Sequence, residues 1–170
     1  MNLKNYITDV NDFPKPGVIF KDITPLLNDA NAFKFAIQAM AQKILESEID
    51  VIVAPEARGF LFAAPIAFAT NKRLVLIRKP GKLPRKTVQT NYSLEYGAGE
   101  LQIHEGDLKP KDRVAIIDDV LATGGTTEGI IKLIESQGAE VKKILFLADL
   151  KFLHSADIFK NYNLESLLEY

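Results

Sequence analysis

The chain has 170 residues, 47% apolar and 25% charged, the balance of an ordinary folded domain rather than a disordered segment, and long enough for one sizeable core. A net charge of −1 gives no case for nucleic acid or a membrane surface as partner. With no cysteine, disulfides, thiolate catalysis and cysteine-based metal sites are excluded; with no apolar leader at residues 1–10 and no run long enough to span a bilayer, the expectation is one cytoplasmic domain over 1–170.

The first region, FPKPGVIFKDITP at 13–25, contains three prolines and one glycine; it reads as a shaped loop with a short extended piece at 18–20. Asp29 can cap a helix over 30–47, with Phe33, Ile37, Met40, Ile44 and Leu45 at helical spacing. The apolar run IDVIVA at 49–54 reads as a buried strand. A loop at 55–59 leads to a helix over 60–70, in which Pro65 must lie early or produce a kink. A strand follows at 74–77. The polar, Gly/Pro-marked stretch 79–100 ends in weak alternation at 91–96 and 100–104, which predicts a hairpin turning at Gly97–Gly99. Next come a strand at 113–118, a helix over 126–137 ended by Gly138, and a strand at 141–150. Strand, loop, helix and strand in that order make a βαβ unit, so the fold class is α/β with a parallel sheet. The last twenty residues show no readable period.

The chemistry concentrates in IIDDVLATGGTT at 116–127. In an open α/β sheet, ligands sit beyond the carboxyl ends of the strands. Ala122 to Thr127 lie between such an end and a helix N-terminus, where backbone N–H groups are unpaired and the helix dipole is positive. Gly124 and Gly125 let the backbone wrap an anion, and Thr123, Thr126 and Thr127 add hydroxyl donors, so a phosphate fits. The loop lacks the lysine of a Walker A motif and is not GxGxxG. Asp118 and Asp119 would repel that phosphate but accept hydrogen bonds from vicinal hydroxyls. A ribose 5-phosphate unit meets both halves, and magnesium would offset the charge. Either half alone is no more than a strand end or a helix cap; the two in register are the argument.

From Ala57 to Leu94 there is no Asp or Glu, while Arg58, Lys72, Arg73, Arg78, Lys79, Lys82, Arg85 and Lys86 lie within. Arg58, Arg78 and Lys79 follow strands at the same sheet edge as Asp118, which implies a second, larger anion such as pyrophosphate. Lys72, Arg73 and Lys86 read better as a solvated basic face. His104 and His154 share no metal-ligand spacing and read as structural.

The run VAIIDDVLATGGT at 114–126 resembles the stretch by which the type I phosphoribosyltransferases bind 5-phosphoribosyl 1-pyrophosphate. PKPGVIFKDITPLL at 14–27, EARGFLF at 56–62, IRKPGKLPR at 77–85 and YSLEYG at 92–97 are similar to the adenine-using branch of that family, in the family's order and over most of the chain. The resemblance implies a central, mostly parallel sheet flanked by helices, a small N-terminal base-binding hood over roughly 1–28, and a mobile β-hairpin flap over roughly 80–100. It implies the reaction of adenine with phosphoribosyl pyrophosphate to give AMP and pyrophosphate, with Mg²⁺ held mainly by the substrate and not directly by the protein, in a homodimer. By similarity Asp118 and Asp119 hold the ribose hydroxyls; Ala122, Thr123, Gly124, Gly125 and Thr126 hold the 5′-phosphate; Arg58, Arg78, Lys79 and Lys82 contact pyrophosphate. Ile19, Phe20 and Lys21 hold adenine, and the flap brings Glu95 and Tyr96 to the reaction centre. A cis peptide at Glu56–Ala57 is expected on the same ground. The family usually has Arg at position 21, a change of little weight if only the backbone is used, and Gly where Ala63 stands.

The same transfer onto hypoxanthine, guanine or xanthine is the nearest competing reading, and the stretch 16–22 is what favours adenine. A regulator that binds phosphoribosyl pyrophosphate without turnover would be expected to carry a DNA-binding domain ahead of the base-holding segment. A generic nucleotide-binding domain would have no use for the 77–97 stretch.

Overall fold

The computed structural model describes residues 1–94 and 97–170. Its centre is a five-stranded parallel sheet made of β3 (Val51–Pro55), β4 (Arg73–Ile77), β7 (Arg113–Leu121), β8 (Glu140–Asp149) and β9 (Leu164–Glu169), in the order β4-β3-β7-β8-β9. Every residue of β3 is buried. Val51 and Val53 belong to one apolar cluster and Ile52 and Ala54 to the other. That alternation with burial on both sides is what a parallel strand covered by helices on both faces requires.

On one face lie α2 (Ala30–Leu45) and α3 (Arg58–Thr70), contributing Ala36, Met40, Ile44, Phe62 and Ile66 to the core. Asp29 caps α2 as expected, its carboxylate accepting from the N–H groups of Asn31 and Ala32 at 3.0 and 2.8 Å. On the other face α4 (Gly125–Ser136) brings Ile130, Leu133 and Ile134 against Val53, Ile116, Ile144 and Phe146. Pro65 sits near the middle of α3, later than expected. The carbonyl that loses its usual donor belongs to Leu61, a residue on the outer face of the helix that is 43% exposed.

Two antiparallel ribbons lie outside this sheet, the second tied to the end of β4 by the backbone hydrogen bonds exchanged between Arg78 and Gln102 at 2.9 and 2.8 Å. The first joins β1 (Thr8–Asn11) and β2 (Ile19–Asp22), followed by the short α1 (Thr24–Asn28). The second joins β5 (Thr87–Leu94) and β6 (Gly97–His104). The hairpin expected from the sequence is there, but Gly97 and Gly99 lie within β6 and not at its turn. Gly99 pairs with Tyr92, whose ring covers the space a side chain there would need. β7 runs three residues beyond the expected strand end, because Val120 and Leu121 continue to pair with Ala148 and Asp149. β1, α1 and β9 were not legible; β9 is a partly buried edge strand whose leucines and glutamates do not alternate regularly.

The connectivity fixes where a ligand can sit. From β3 the chain moves outward to β4, and from β7 it moves outward the other way through β8 to β9. The boundary between β3 and β7 is therefore the switch point, and the segments leaving their carboxyl ends diverge to leave a crevice.

Candidate functional site

That crevice is a cleft of about 240 Å³ lined by Pro55 to Arg58 from the end of β3 and by Asp118 to Thr127 from the end of β7. Its floor is tightly fitted. A Cβ on Gly59, in the first turn of α3, would lie 2.9 Å from Asp118 Oδ1 and 3.2 Å from the Ile117 carbonyl oxygen. Only glycine lets α3 start this close to the two carboxylates. The peptide between Glu56 and Ala57 is cis, as expected.

The loop after β7 enters α4 through Gly124, which has φ +90°. A side chain at Gly124 would also collide with Ile158. The first turn of α4 thus opens on the cleft with Gly125, Thr126 and Thr127 among its residues, and their N–H groups precede the first i−4 helical bond, from Glu128 to the Gly124 carbonyl at 2.9 Å. Thr123 is exposed and Thr126 half-buried, while Thr127 is buried.

The two carboxylates have different surroundings. Asp118 Oδ1 accepts from the Asp119 N–H at 2.9 Å. Burial first, then the neighbouring Asp119 charge, push the Asp118 carboxyl well above the usual carboxylate range, with Arg58 opposing. Asp119 is 3% exposed. Its Oδ2 lies 2.9 Å from Arg58 Nε, near enough for charge attraction but outside hydrogen-bond geometry, so among the described residues this buried oxygen has no hydrogen-bond partner. Such an oxygen is normally paired.

Arg58 also lies over the Phe20 ring, 5.2 Å from its centroid. One guanidinium therefore connects the β1–β2 ribbon to the carboxylates. Phe20 is half-buried, Ile19 is 48% exposed, and Phe13 meets Phe20 edge-on at 5.2 Å. Lys21 turns the other way, its Nζ 2.6 Å from Asp9 Oδ1.

Sequence reasoning missed Glu56. Its carboxylate accepts from Arg78 Nε at 2.7 Å and from the Lys79 N–H at 3.0 Å. Burial would raise the Glu56 carboxyl, but the Lys79 N–H and the Arg78 guanidinium outweigh it and hold it low. Arg78 reaches on to the Lys82 carbonyl at 3.3 Å. Glu56 thus shapes the start of the basic 78–82 segment, while Lys79 and Lys82 are exposed and, among the described residues, their ammonium groups form no salt bridge. The acid beside Arg58 in EARGFLF was the available signal.

Glu95 and Tyr96 lie outside the described residues. The strands that carry them pack on α4 through Tyr92 and Leu101. A Cβ on Gly129 would stand 2.7 Å from Tyr92 Cβ. His104 is at the base of the hairpin against Arg85 and Asp107, and His154 Nε2 is 2.6 Å from Asp149 Oδ1. Among the described residues no group of three or more His, Cys, Asp or Glu could hold a metal ion, and no helix is long and apolar enough to cross a membrane.

The phosphoribosyl transferase domain model matches residues 26–160. The adenine phosphoribosyltransferase of Mycoplasma capricolum is 56% identical over 170 residues, all of both chains. Among solved structures, the adenine phosphoribosyltransferase of Thermoanaerobacter pseudethanolicus superposes with a TM-score of 0.95 at 46% identity, covering 99% of this chain and 98% of that one. The Saccharomyces cerevisiae enzyme, complexed with an imino-altritol bisphosphate and adenine, gives 0.89 at 32%, covering 98% and 96%. Likeness over the whole length, centred on the same parallel sheet, settles the family: the chain belongs to the adenine phosphoribosyltransferases.

Proposed function

We propose that the protein is a purine-salvage enzyme that converts adenine and 5-phosphoribosyl 1-pyrophosphate to AMP and pyrophosphate, the reaction for which its relatives are named, and that it works in the cytoplasm. The observation that carries this reading is the pairing, in one cleft, of a glycine-entered helix N-terminus with a buried carboxylate oxygen that has no hydrogen bond. The first suits a phosphate and the second a sugar hydroxyl, and a ribose 5-phosphate presents both.

In this reading the whole chain, 1–170, acts as one domain. The 5′-phosphate rests on Ala122, Thr123, Gly124, Gly125 and Thr126, with the ribose hydroxyls on Asp118 and Asp119. Arg58, Arg78, Lys79 and Lys82 face the pyrophosphate. Adenine lies by Ile19, Phe20 and Lys21 in the hood at 1–28, stacked on Phe20 with its edge read by backbone groups. The bond from the anomeric carbon to the pyrophosphate oxygen breaks, leaving a cationic, oxocarbenium-like carbon, and a new bond forms from that carbon to an adenine ring nitrogen. Basic side chains stabilise the departing anion. The flap over 80–100 closes to exclude water and brings Glu95 and Tyr96 to the centre, where Glu95 exchanges the adenine ring proton. The donor set fits a Mg²⁺ carried in on the substrate and not a closed protein cage, since among the described residues Asp118 and Asp119 are the cleft carboxylates without a basic partner hydrogen-bonded to them. A Mg²⁺ brought in on the substrate would supply charge neutralisation on the pyrophosphate.

The second copy of a homodimer would cover the outer face of α3, where Leu61 is 43% and Phe68 92% exposed. Light scattering on the purified protein tests this; a monomer at micromolar concentration would remove it.

The central test offers adenine, hypoxanthine, guanine and xanthine separately, with phosphoribosyl pyrophosphate and Mg²⁺. AMP from adenine alone is expected. Turnover of a 6-oxopurine would discard the role given to Ile19 to Lys21. No product with any base, from protein that binds phosphoribosyl pyrophosphate, would turn the chain into a sensor.

A further inference from the structure

The β1–β2 ribbon raises a mechanical question. A lone two-stranded ribbon is only marginally stable in water, yet this one must present Ile19 and Phe20 at a fixed height over the cleft. All of β1 is exposed, and within β2 only Lys21 is buried. Beside the buried Ile23 that follows β2 and the Arg58 contact with Phe20, the ribbon's own buried anchor is a lysine, an unusual residue to bury.

The surroundings of Lys21 explain how it is held. Its ammonium is 2.6 Å from Asp9 Oδ1, across the ribbon in the Asp9↔Lys21 pair. It also stands 4.1 Å from the ring centroid of Tyr170. Lys4 approaches the same ring at 4.7 Å, and its Nζ donates to the Glu169 carbonyl at 2.6 Å. Tyr170 is itself fixed to the main sheet. Its N–H donates to the Asp149 carbonyl at 2.9 Å, and its carbonyl accepts from the Lys151 N–H at 3.0 Å. The ring packs against the core on the α2 and α3 side.

We propose that Tyr170 is a positioning residue for base binding: its ring, fixed at the carboxyl end of the sheet, holds the Lys21 ammonium and so sets the height of the strand that carries Ile19 and Phe20. The inference rests on the adenine reading of that strand. It assigns Tyr170, more than 140 residues away in sequence from Phe20, to the specificity apparatus without contact with substrate. It also gives position 21 a reason to be a cation although only its backbone would face the base. An ammonium held by both Asp9 and the Tyr170 ring restrains the strand at 19–21 that would meet the purine edge.

The test is a kinetic split in the intact enzyme. Tyr170→Ala should raise KM for adenine about fivefold, the scale of one cation–π contact, and leave KM for phosphoribosyl pyrophosphate within about twofold of wild type. Tyr170→Phe keeps the π face and should restore the adenine KM; the hydroxyl has no part in the argument. Tyr170→Leu keeps bulk on the core without a π face and should behave as Tyr170→Ala, which guards against an alanine variant that folds poorly. An unchanged adenine KM in a folded Tyr170→Leu, a parallel rise in both KM values, or failure of Tyr170→Phe to restore would overturn the inference while leaving the adenine reading standing. Wild-type protein that does not use adenine would remove that reading and the inference with it.

Discussion

The amino end of the parallel sheet and the cleft at its carboxyl end treat charge in opposite ways. At the amino end, the Arg113 guanidinium takes both oxygens of Asp50, Nε to Oδ2 at 2.9 Å and Nη2 to Oδ1 at 2.8 Å, and reaches Glu48 at 3.0 Å. Arg73 pairs there with Asp112 at 2.5 Å. Each carboxylate has a partner within the chain. At the carboxyl end, Asp118 is held away from its ordinary ionisation, Asp119 has a buried oxygen without a hydrogen bond, and the first turn of α4 opens its N–H groups on a cleft. The same kinds of residue occur at both ends. What separates structure from function is whether their hydrogen-bonding capacity is used up inside the chain. Groups left wanting partners cost stability, and they persist where a ligand supplies the partner.

If that contrast holds, the largest effect should come from Arg58. Arg58→Ala removes a cation from the cleft and leaves the Asp119 carboxylate without its near countercharge. A fall in kcat/KM of about 10²–10³ is expected, the scale of losing one preorganised electrostatic group. Steady-state kinetics check it. A loss under threefold would mean that this guanidinium serves only as a brace between Phe20 and Asp119.

Next comes the joint between hairpin and α4. Gly129→Ala puts a methyl group where Tyr92 Cβ is only 2.7 Å away, so the hairpin must shift although alanine is the better helix former. A misplacement of about 1 Å in a catalytic element can cost up to about 10²-fold. Turnover should therefore drop by more than about tenfold, with the melting temperature within a few degrees of wild type. Unchanged turnover would show that α4 does not set the position of the hairpin.

The third effect has the opposite sign. The Asp118 carboxyl is raised in the folded state, so the folded protein binds that proton more tightly than the unfolded chain, whose ordinary value is 3.8. The stabilisation from the protonated form is complete below that value and is lost as pH rises through the folded one. Asn imitates the protonated form. Asp118→Asn should therefore melt higher than wild type at pH 8, converge with it near pH 4, and lose activity at both. Scanning calorimetry across that range decides it; a variant less stable at pH 8 would mean that the carboxylate is satisfied where it stands.

These groups were legible to different degrees. The doubled aspartate, the glycine cradle and Arg58 stand close together or at strand ends, so local pattern and the α/β rule suffice to find them. The roles of Glu56, Tyr170 and Ile158 were not legible. Glu56 acts on Arg78 across the β3–β4 pairing, Tyr170 on Lys21 through the packing of β9, and Ile158 closes the space over Gly124 from a stretch without period. Each depends on which strands are neighbours, and for β9 and β1 the edge position and exposure erased the alternation that would have announced them. Extending β7 past Asp118 has the same cause, since pairing with β8 and not the apolar run decides where the strand stops.

The smallest effect belongs to the satisfied end. The Arg113 side chain, then its backbone N–H, hold the Asp50 carboxyl below the usual range. A depressed carboxyl contributes stability that is present above the unfolded value of 3.8 and is lost as pH falls toward the folded one. The pair is solvent-exposed, so screening keeps the contribution small. Asp50→Asn should lower the melting temperature at pH 7 by no more than about a degree or two, with the gap closing below pH 4 and kcat/KM untouched. High salt should shrink the gap further. A change in kcat/KM would overturn the contrast between the two ends, because it would require a fully partnered charge on the far side of the sheet, with no group to offer a ligand, to act on the cleft through the length of β3 and β7.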